Sequence, residues 1–349
     1  MYKTNIQSIY LEKRFPLRIS RGVRAGSSNL FVEISDENGN TGIGEGAPGG
    51  SEGAADIESA MQIAQDHLAQ NPDFSHPVSH YRTSLDNGLA PCVLAAFDIA
   101  LWDLLAKQAN LPLHRLLGLP APHGITSMTI GIMTAEEARE RVQILFENGR
   151  IYHALKIKLG NPEGIEADQQ MYNAIYPFAK ENNISLRVDA NGGWSVEDAK
   201  KMMSWLADRN CDYVEQPLVE GDEHRLSEIF QNRPLPIYVD ESCRFASQIK
   251  NYSDSVDGVN LKLMKCGGIT GALEILNTAR AHNLKTMIGC MSESSISIGA
   301  GAALTGIIDH IDLDSHLNLN PDVAEGLQLN KGMILPDSNN YSGHGSVLK

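Results

Sequence analysis

The sequence is poor in the features that mark secreted, membrane or nucleic-acid-binding proteins. Its five cysteines, Cys92, Cys211, Cys243, Cys266 and Cys290, are scattered, odd in number and never spaced as C-x-x-C. This excludes a disulfide framework and a cysteine zinc site, and it predicts reduced thiols that mostly fill small core positions. The 11 histidines form no close metal-ligand spacing, which argues against zinc altogether. No apolar run is long enough to span a bilayer. The start, Met1-Tyr2-Lys3-Thr4-Asn5, lacks the apolar stretch of a signal peptide, so a cytoplasmic location is expected. Positive charge is also scarce: 29 Lys and Arg against 43 Asp and Glu leave a formal net charge of -14. Nucleic acid and anionic membrane would repel such a chain, so the expected partner is a small molecule. An anionic substrate would then need a local positive centre, either a metal ion or clustered lysines.

What is present is a repeating plan. With 349 residues and 42% hydrophobic content, the chain can bury one large core and a smaller one. From about residue 125, short apolar strands alternate with amphipathic helices. The strands centre on Ser127–Ile132, Ala154–Leu159, Ser185–Ala190, Tyr213–Glu215, Ile237–Asp240, Gly258–Leu263, Lys285–Gly289 and His310–Asp314. Helices are expected over Thr134–Asn148, Val196–Asp208 and Thr270–His282, among others. Eight such units argue for a closed (β/α) barrel, with a doubly wound sheet as the alternative because spacing cannot show closure. The first portion differs. Strands over residues 1–40 precede helices at Asp56–Ala69 and Pro91–Gln108, which predicts a small α+β domain ahead of the barrel. Gly42-Ile43-Gly44-Glu45-Gly46 opens no dinucleotide-binding unit and is read as a turn or mobile loop.

The chemistry concentrates at the expected C-terminal rim of the barrel. In His153–Leu159, alternation puts Ala154, Lys156 and Lys158 on one face and Leu155, Ile157 and Leu159 on the other. Two inward lysines would be costly in a mere core, because buried charge needs partners. Asp189, Glu215 and Asp240 end three successive strands, 26 and 25 residues apart. Three neighbouring carboxylates repel one another unless a hard cation sits among them, and all-oxygen donors suit Mg²⁺ or Mn²⁺. Lys265 follows the sixth strand, across the barrel from Lys158, with Lys262 as its competitor. Asp312 and Asp314 alternate on the eighth strand, far from the metal trio, and read either as a receptor for a substrate ammonium group or as solvated acids at a strand end.

These residues carry a family resemblance. Lys156-x-Lys158, Val188–Asn191 (VDAN), Val214–Pro217 (VEQP), Asp240–Ser242 (DES) and Lys262–Gly268 (KLMKCGG) resemble the muconate-lactonizing subgroup of the enolase superfamily. Ala95–Lys107 resembles the segment leading from that family's capping domain into its barrel. The resemblance implies a modified (β/α)₇β TIM-type barrel over 123–324 and an α+β capping domain over 1–122, completed by the tail 325–349. It implies Mg²⁺, with Mn²⁺ as an alternative, on Asp189, Glu215 and Asp240, with Asn191 supporting the metal shell. Lys158 and Lys265 would be the acid/base pair, and Lys156 would hold the substrate carboxylate. A lysine base with a metal-stabilised ene-diolate is established chemistry for this superfamily.

The Asp312-x-Asp314 pair and Gly289–Ser294 (GCMSES) are similar to the dipeptide epimerases, isomerases whose Asp pair binds a dipeptide's free α-ammonium. By that similarity Thr129, Cys290 and Ser292 would line the pocket. Arg24, or Arg21 beside it, would bind a glutamate side chain, which points to an Ala-Glu-type dipeptide. N-acylamino acid racemase, o-succinylbenzoate synthase and cycloisomerase would keep the same metal and lysines. A Schiff-base aldolase on Lys156 or Lys158, or a non-catalytic binding barrel, stands further off. A serine hydrolase is excluded by the lack of a nucleophile elbow. The oligomeric state is open, a homo-oligomer included.

Overall fold

The computed structural model describes residues 2–20, 22–147 and 152–349. The chain opens with three antiparallel strands, β1 (Lys3–Ile19), β2 (Gly22–Ser35) and β3 (Thr41–Gly46), joined in that order. Helices α1 (Ile57–Ala69), α2 (Pro77–Asp86), α3 (Pro91–Gln108) and the short α4 (Leu113–Leu116) follow. The expected turn at Gly42–Gly46 is wrong, since these residues form β3. Their glycines serve close packing. A Cβ at Gly44 would lie 2.0 Å from the Ala96 carbonyl oxygen, and one at Gly42 equally close to that of Ala100. Only a strand without side chains on this face can lie so near the α3 backbone. α3 meets it with Cys92, Ala96 and Ala100, all buried.

Eight parallel strands of the described residues follow, hydrogen-bonded in sequence order: β4 (Met128–Ile130), β5 (Ala154–Lys158), β6 (Ser185–Asp189), β7 (Cys211–Glu215), β8 (Ile237–Val239), β9 (Gly258–Leu261), β10 (Lys285–Gly289) and β11 (His310–Asp312). A parallel bridge between Thr126 and Ile311 brings the last strand beside the first, so the sheet is closed and the doubly wound alternative is excluded. Between the strands run α5 (Ala135–Glu147), α6 (Ile165–Glu181), α7 (Val196–Ala207), α8 (Leu226–Phe230), α9 (Leu263–Cys266), α10 (Ile269–Ala281) and α11 (Ser295–Ala302). Their apolar faces cover the outward residues of the strands, such as Leu155, Ile157, Val188 and Val214, in one continuous core. The chain ends in two small ribbons: β12 (Ala324–Glu325) with β15 (Val347–Leu348), and β13 (Leu327–Asn330) with β14 (Met333–Pro336). No helix among the described residues is long and apolar enough to cross a membrane.

Buried polar contacts join the first portion to the barrel. Glu45 of β3 accepts hydrogen bonds from the Ser294 amide at 3.0 Å, the Ser294 hydroxyl at 2.7 Å and the Ser297 amide at 3.2 Å. This carboxylate meets the exposed amides at the start of α11, where negative charge is stabilised. Asp98 of α3 likewise receives the amide and hydroxyl of Thr270 on α10, at 2.9 and 2.6 Å. In the tail, the Leu113 amide donates to Gly343 at 2.8 Å and the His344 amide to Asp103 at 3.0 Å. The tail therefore packs on the first portion as well as on the barrel.

The helical part of this first portion encloses a histidine pair with a consequence for stability. His67 and His80 face each other with Nε2 atoms 2.9 Å apart, and Phe97 and Phe74 pack against them. Burial, and then the neighbouring His67, lowers the His80 pKa to about 4, while an unfolded chain titrates near 6.5. The stability contributed by neutral His80 is complete above pH 6.5 and is lost as pH falls toward 4, by up to about 3 kcal/mol. Urea midpoints measured between pH 7.5 and 4.5 should therefore fall more steeply in the wild type than in His80→Leu. Parallel slopes would show that this histidine is not responsible.

Candidate active site

The polar side chains gather where the strands end. On β5 the alternation holds: Lys156 and Lys158 enter the barrel while Leu155 and Ile157 join the core outside it, and all five strand residues are buried. Register then lines up the chemistry. Lys158 pairs with Asp189 on β6, and Asp189 with Glu215 on β7. Asp240, one residue past β8, completes the row. One oxygen from each of Asp189, Glu215 and Asp240 lies within 4.8 Å of the others, and all three residues are buried.

Such a trio needs positive charge, and four lysines supply it. Lys158 Nζ lies 2.6 Å from Asp189, Lys262 Nζ 2.7 Å and Lys265 Nζ 2.6 Å from Asp240. Lys156 Nζ reaches Glu215 at 2.7 Å, Asp189 at 3.4 Å and Asp312 at 2.6 Å. Burial would lower the Lys156 pKa, but Asp312, Glu215 and Asp189 together hold it well above the ordinary value. Against burial, Lys158 and Lys156 keep Asp189 below the usual carboxylate range, and Lys262 with Lys265 does the same for Asp240. Glu215 goes the other way: burial and then Asp189 push it up, although Asn260 donates to it at 2.7 Å. Burial is the larger cause, and the Asp189 carboxylate beside it adds to the rise. The donor set is oxygen only, so the three residues fit a hard divalent ion. Asn191 braces it, its amide donating to Asp189 at 2.8 Å.

The remaining predicted residues line the same cavity, of about 270 Å³. Lys265, on α9 beyond β9, and Lys262 both enter it, so strand parity does not separate them. Lys265 also donates to the carbonyls of Cys243 and Asn260, each at 3.1 Å. Thr129, Cys290, Ser292 and Arg24 are in the wall. Arg21 lies outside the described residues. Two expectations need correction. Asp314 is not on the last strand, which stops at Asp312; it opens a 3₁₀ turn at Ser315–Asn318 and still faces the cavity. Nor is the pair far from the trio, because the Lys156 ammonium touches both Asp312 and Glu215.

The two aspartates are thereby unequal. Asp312 is matched by Lys156 and by the Ser127 hydroxyl at 2.5 Å. Asp314 accepts from the Thr129 amide at 2.6 Å and has no ion pair among the described residues. Burial and then Asp312 raise its pKa. It is the open acceptor. Sequence reasoning missed four further charged residues in the wall, Lys13, Glu52, Glu241 and Arg244. Lys13 was detectable, since Leu11 and Lys13 share the buried face of β1. Glu52 sits in a short turn with no periodicity to read.

The chain's N-terminal part matches the mandelate racemase/muconate lactonizing enzyme N-terminal domain over residues 2–118, and residues 134–347 match the enolase C-terminal domain-like family. The chain belongs to the enolase superfamily. It is 54% identical over 347 residues, 99% of this chain and 98% of the relative, to a hydrophobic dipeptide epimerase of Flavobacteria bacterium (strain MS024-2A). To the hydrophobic dipeptide epimerase of Roseobacter litoralis it is 53% identical, over 99% of both chains. A solved dipeptide epimerase of Enterococcus faecalis V583, complexed with Mg and L-Leu-L-Tyr, superposes with a TM-score of 0.88 at 32% identity, covering 99% and 98% of the two chains. This member of the superfamily is an enzyme of the isomerase class, with the superfamily's capped barrel.

Proposed function

We propose that the protein is a Mg²⁺-dependent dipeptide epimerase that inverts the α-carbon of the C-terminal residue by two-lysine proton transfer. The observation that carries this is one cavity holding two lysines beside the carboxylate trio and, apart from them, Asp314, which has no ion pair among the described residues. A dipeptide carries one negative end and one positive end, and the cavity offers a receptor for each. Asp189, Glu215 and Asp240 would hold Mg²⁺, which when bound supplies positive charge to offset the second negative charge that α-proton removal creates. Lys156 adds a fixed ammonium at the same end. Lys158 and Lys265 take the α-proton from one face and return one to the other, and each must be neutral at the moment it accepts. Asp314, with Asp312, orients the substrate by its α-ammonium, which places the C-terminal α-carbon between the lysines.

The C-terminal residue favoured by this cavity is apolar. Leu17, Ile19 and Val23 of the first hairpin line it, and the 54% identical relative is named for hydrophobic dipeptides. Arg24 favours a second reading, an Ala-Glu-type dipeptide.

Incubation of the protein with Mg²⁺ and an L,L-dipeptide library in D₂O tests the whole reading. Deuterium should enter the C-terminal α-position, fastest for apolar residues. Exchange confined to N-succinylamino acids would overturn it in favour of an N-acylamino acid racemase. Metal removal gives an independent check. Saturating Mg²⁺ at 100 times its Kd should stabilise the fold by about 2.7 kcal/mol. The rise in Tm should vanish with EDTA and in Asp189→Asn, while an unchanged wild-type Tm would remove the metal from the account.

A further inference from the structure

The cavity contains a cation that proton transfer does not use. Lys13 of β1 is only 9% exposed, yet it lines the cavity beside Asp314, Cys290 and Met291. Its ammonium makes no hydrogen bond or ion pair among the described residues. Its backbone is fixed to the loop that follows Asp314. Lys13 bridges Leu319, the Asn320 amide donates to Glu12 at 2.9 Å, and Asn318 clasps Phe15 through both backbone groups at 3.0 and 2.8 Å. The lysine stem therefore starts from a rigid position. A buried ammonium without a partner costs several kcal/mol, and a fold keeps one only where something else uses it. Burial lowers its pKa, and the Asp314 carboxylate opposes that. The nearby Glu293 offers little relief, because burial pushes its carboxyl to about 8.

We propose that Lys13 reads the side chain of the substrate's N-terminal residue and selects dipeptides that carry a carboxylate there, aspartate or glutamate. This rests on the epimerase reading above. With the substrate α-ammonium on Asp314, those two charges cancel, and the first residue's side chain leaves the same α-carbon toward the neighbouring wall. Lys13 is a positive charge on that wall, with Arg24 also in the cavity lining. A side-chain carboxylate meets it at a largely buried position, where a charge-assisted hydrogen bond is stronger than in water.

The test compares kcat/KM of the Mg²⁺-loaded, full-length enzyme for L-Glu-L-Leu, L-Asp-L-Leu and L-Ala-L-Leu in wild type, Lys13→Met and Lys13→Arg. Wild type should prefer an acidic first residue over alanine by about tenfold or more. Lys13→Met should lose that ratio, and Lys13→Arg should keep most of it. If Lys13→Met changes all three substrates by one factor, Lys13 is only a counter-ion of Asp314 and the proposal fails. It also fails if wild type shows no acidic preference while turning over L-Ala-L-Leu, a result that leaves the epimerase reading intact. No turnover of any dipeptide would overturn the epimerase reading, and this inference with it.

Discussion

Lys158→Ala and Lys265→Ala should each lower dipeptide epimerisation by about 10²–10⁴-fold, the range for losing a positioned proton-transfer group. Loss of rate alone would not distinguish a base from a structural lysine, because each also neutralises a buried carboxylate at 2.6 Å. Isotope exchange does. With a proton carrier on each face, a variant that retains one lysine can still exchange the α-proton of one epimer. Lys158→Ala should wash deuterium into one epimer from D₂O, and Lys265→Ala into the other. Lys262→Ala should not produce this one-sided pattern, since Asp240, Glu241 and Glu215 outweigh burial and raise its pKa, which keeps it charged. Exchange of both epimers by either variant, or of the same epimer by both, would refute the assignment.

Asp314→Asn should raise KM for dipeptides about 10- to 100-fold with little change in kcat, the effect of removing one charge-assisted contact made equally before and during reaction. Asp312→Asn should behave differently. Asp312 lies 2.6 Å from Lys156, whose ammonium also reaches Glu215 and Asp189. Its loss perturbs the positive end of the site, so kcat should fall as well. N-acetylated amino acids, which have no ammonium, provide the control: Asp314→Asn should leave their kcat/KM within about twofold, inside the spread of ordinary surface-scale effects. An equal loss with acetylated and free-amine substrates would mean that Asp314 shapes the pocket without binding the ammonium.

Much of this site was readable in one dimension because strands have a fixed period. Lys156 and Lys158 share a face wherever β5 lies, and Asp189, Glu215 and Asp240 recur once per strand–helix unit. Hence the carboxylate trio and Lys158 were legible, and so were eight strands to within a few residues, whereas the choice of Lys265 over Lys262 came from the family resemblance. The errors fell where the period fails. Gly42–Gly46 reads as a turn by composition, but its glycines exist to let α3 approach at backbone distance. Asp314 lies past the strand end, where alternation no longer decides direction.

The sequence by itself determined the repeating plan, the inward face of β5 and the three strand-end carboxylates, since each follows from local periodicity. Only the tertiary structure decided what those residues share. It showed that one ammonium, that of Lys156, links the carboxylate trio to Asp312, and that Asp314 has no ion pair among the described residues. It also brought Lys13, Arg24 and Glu52 from the first 52 residues onto the rim of a barrel that begins more than 70 residues later. Charge pairing and cavity walls are properties of through-space distance, and the period of a strand carries no information about which distant segment will close over it.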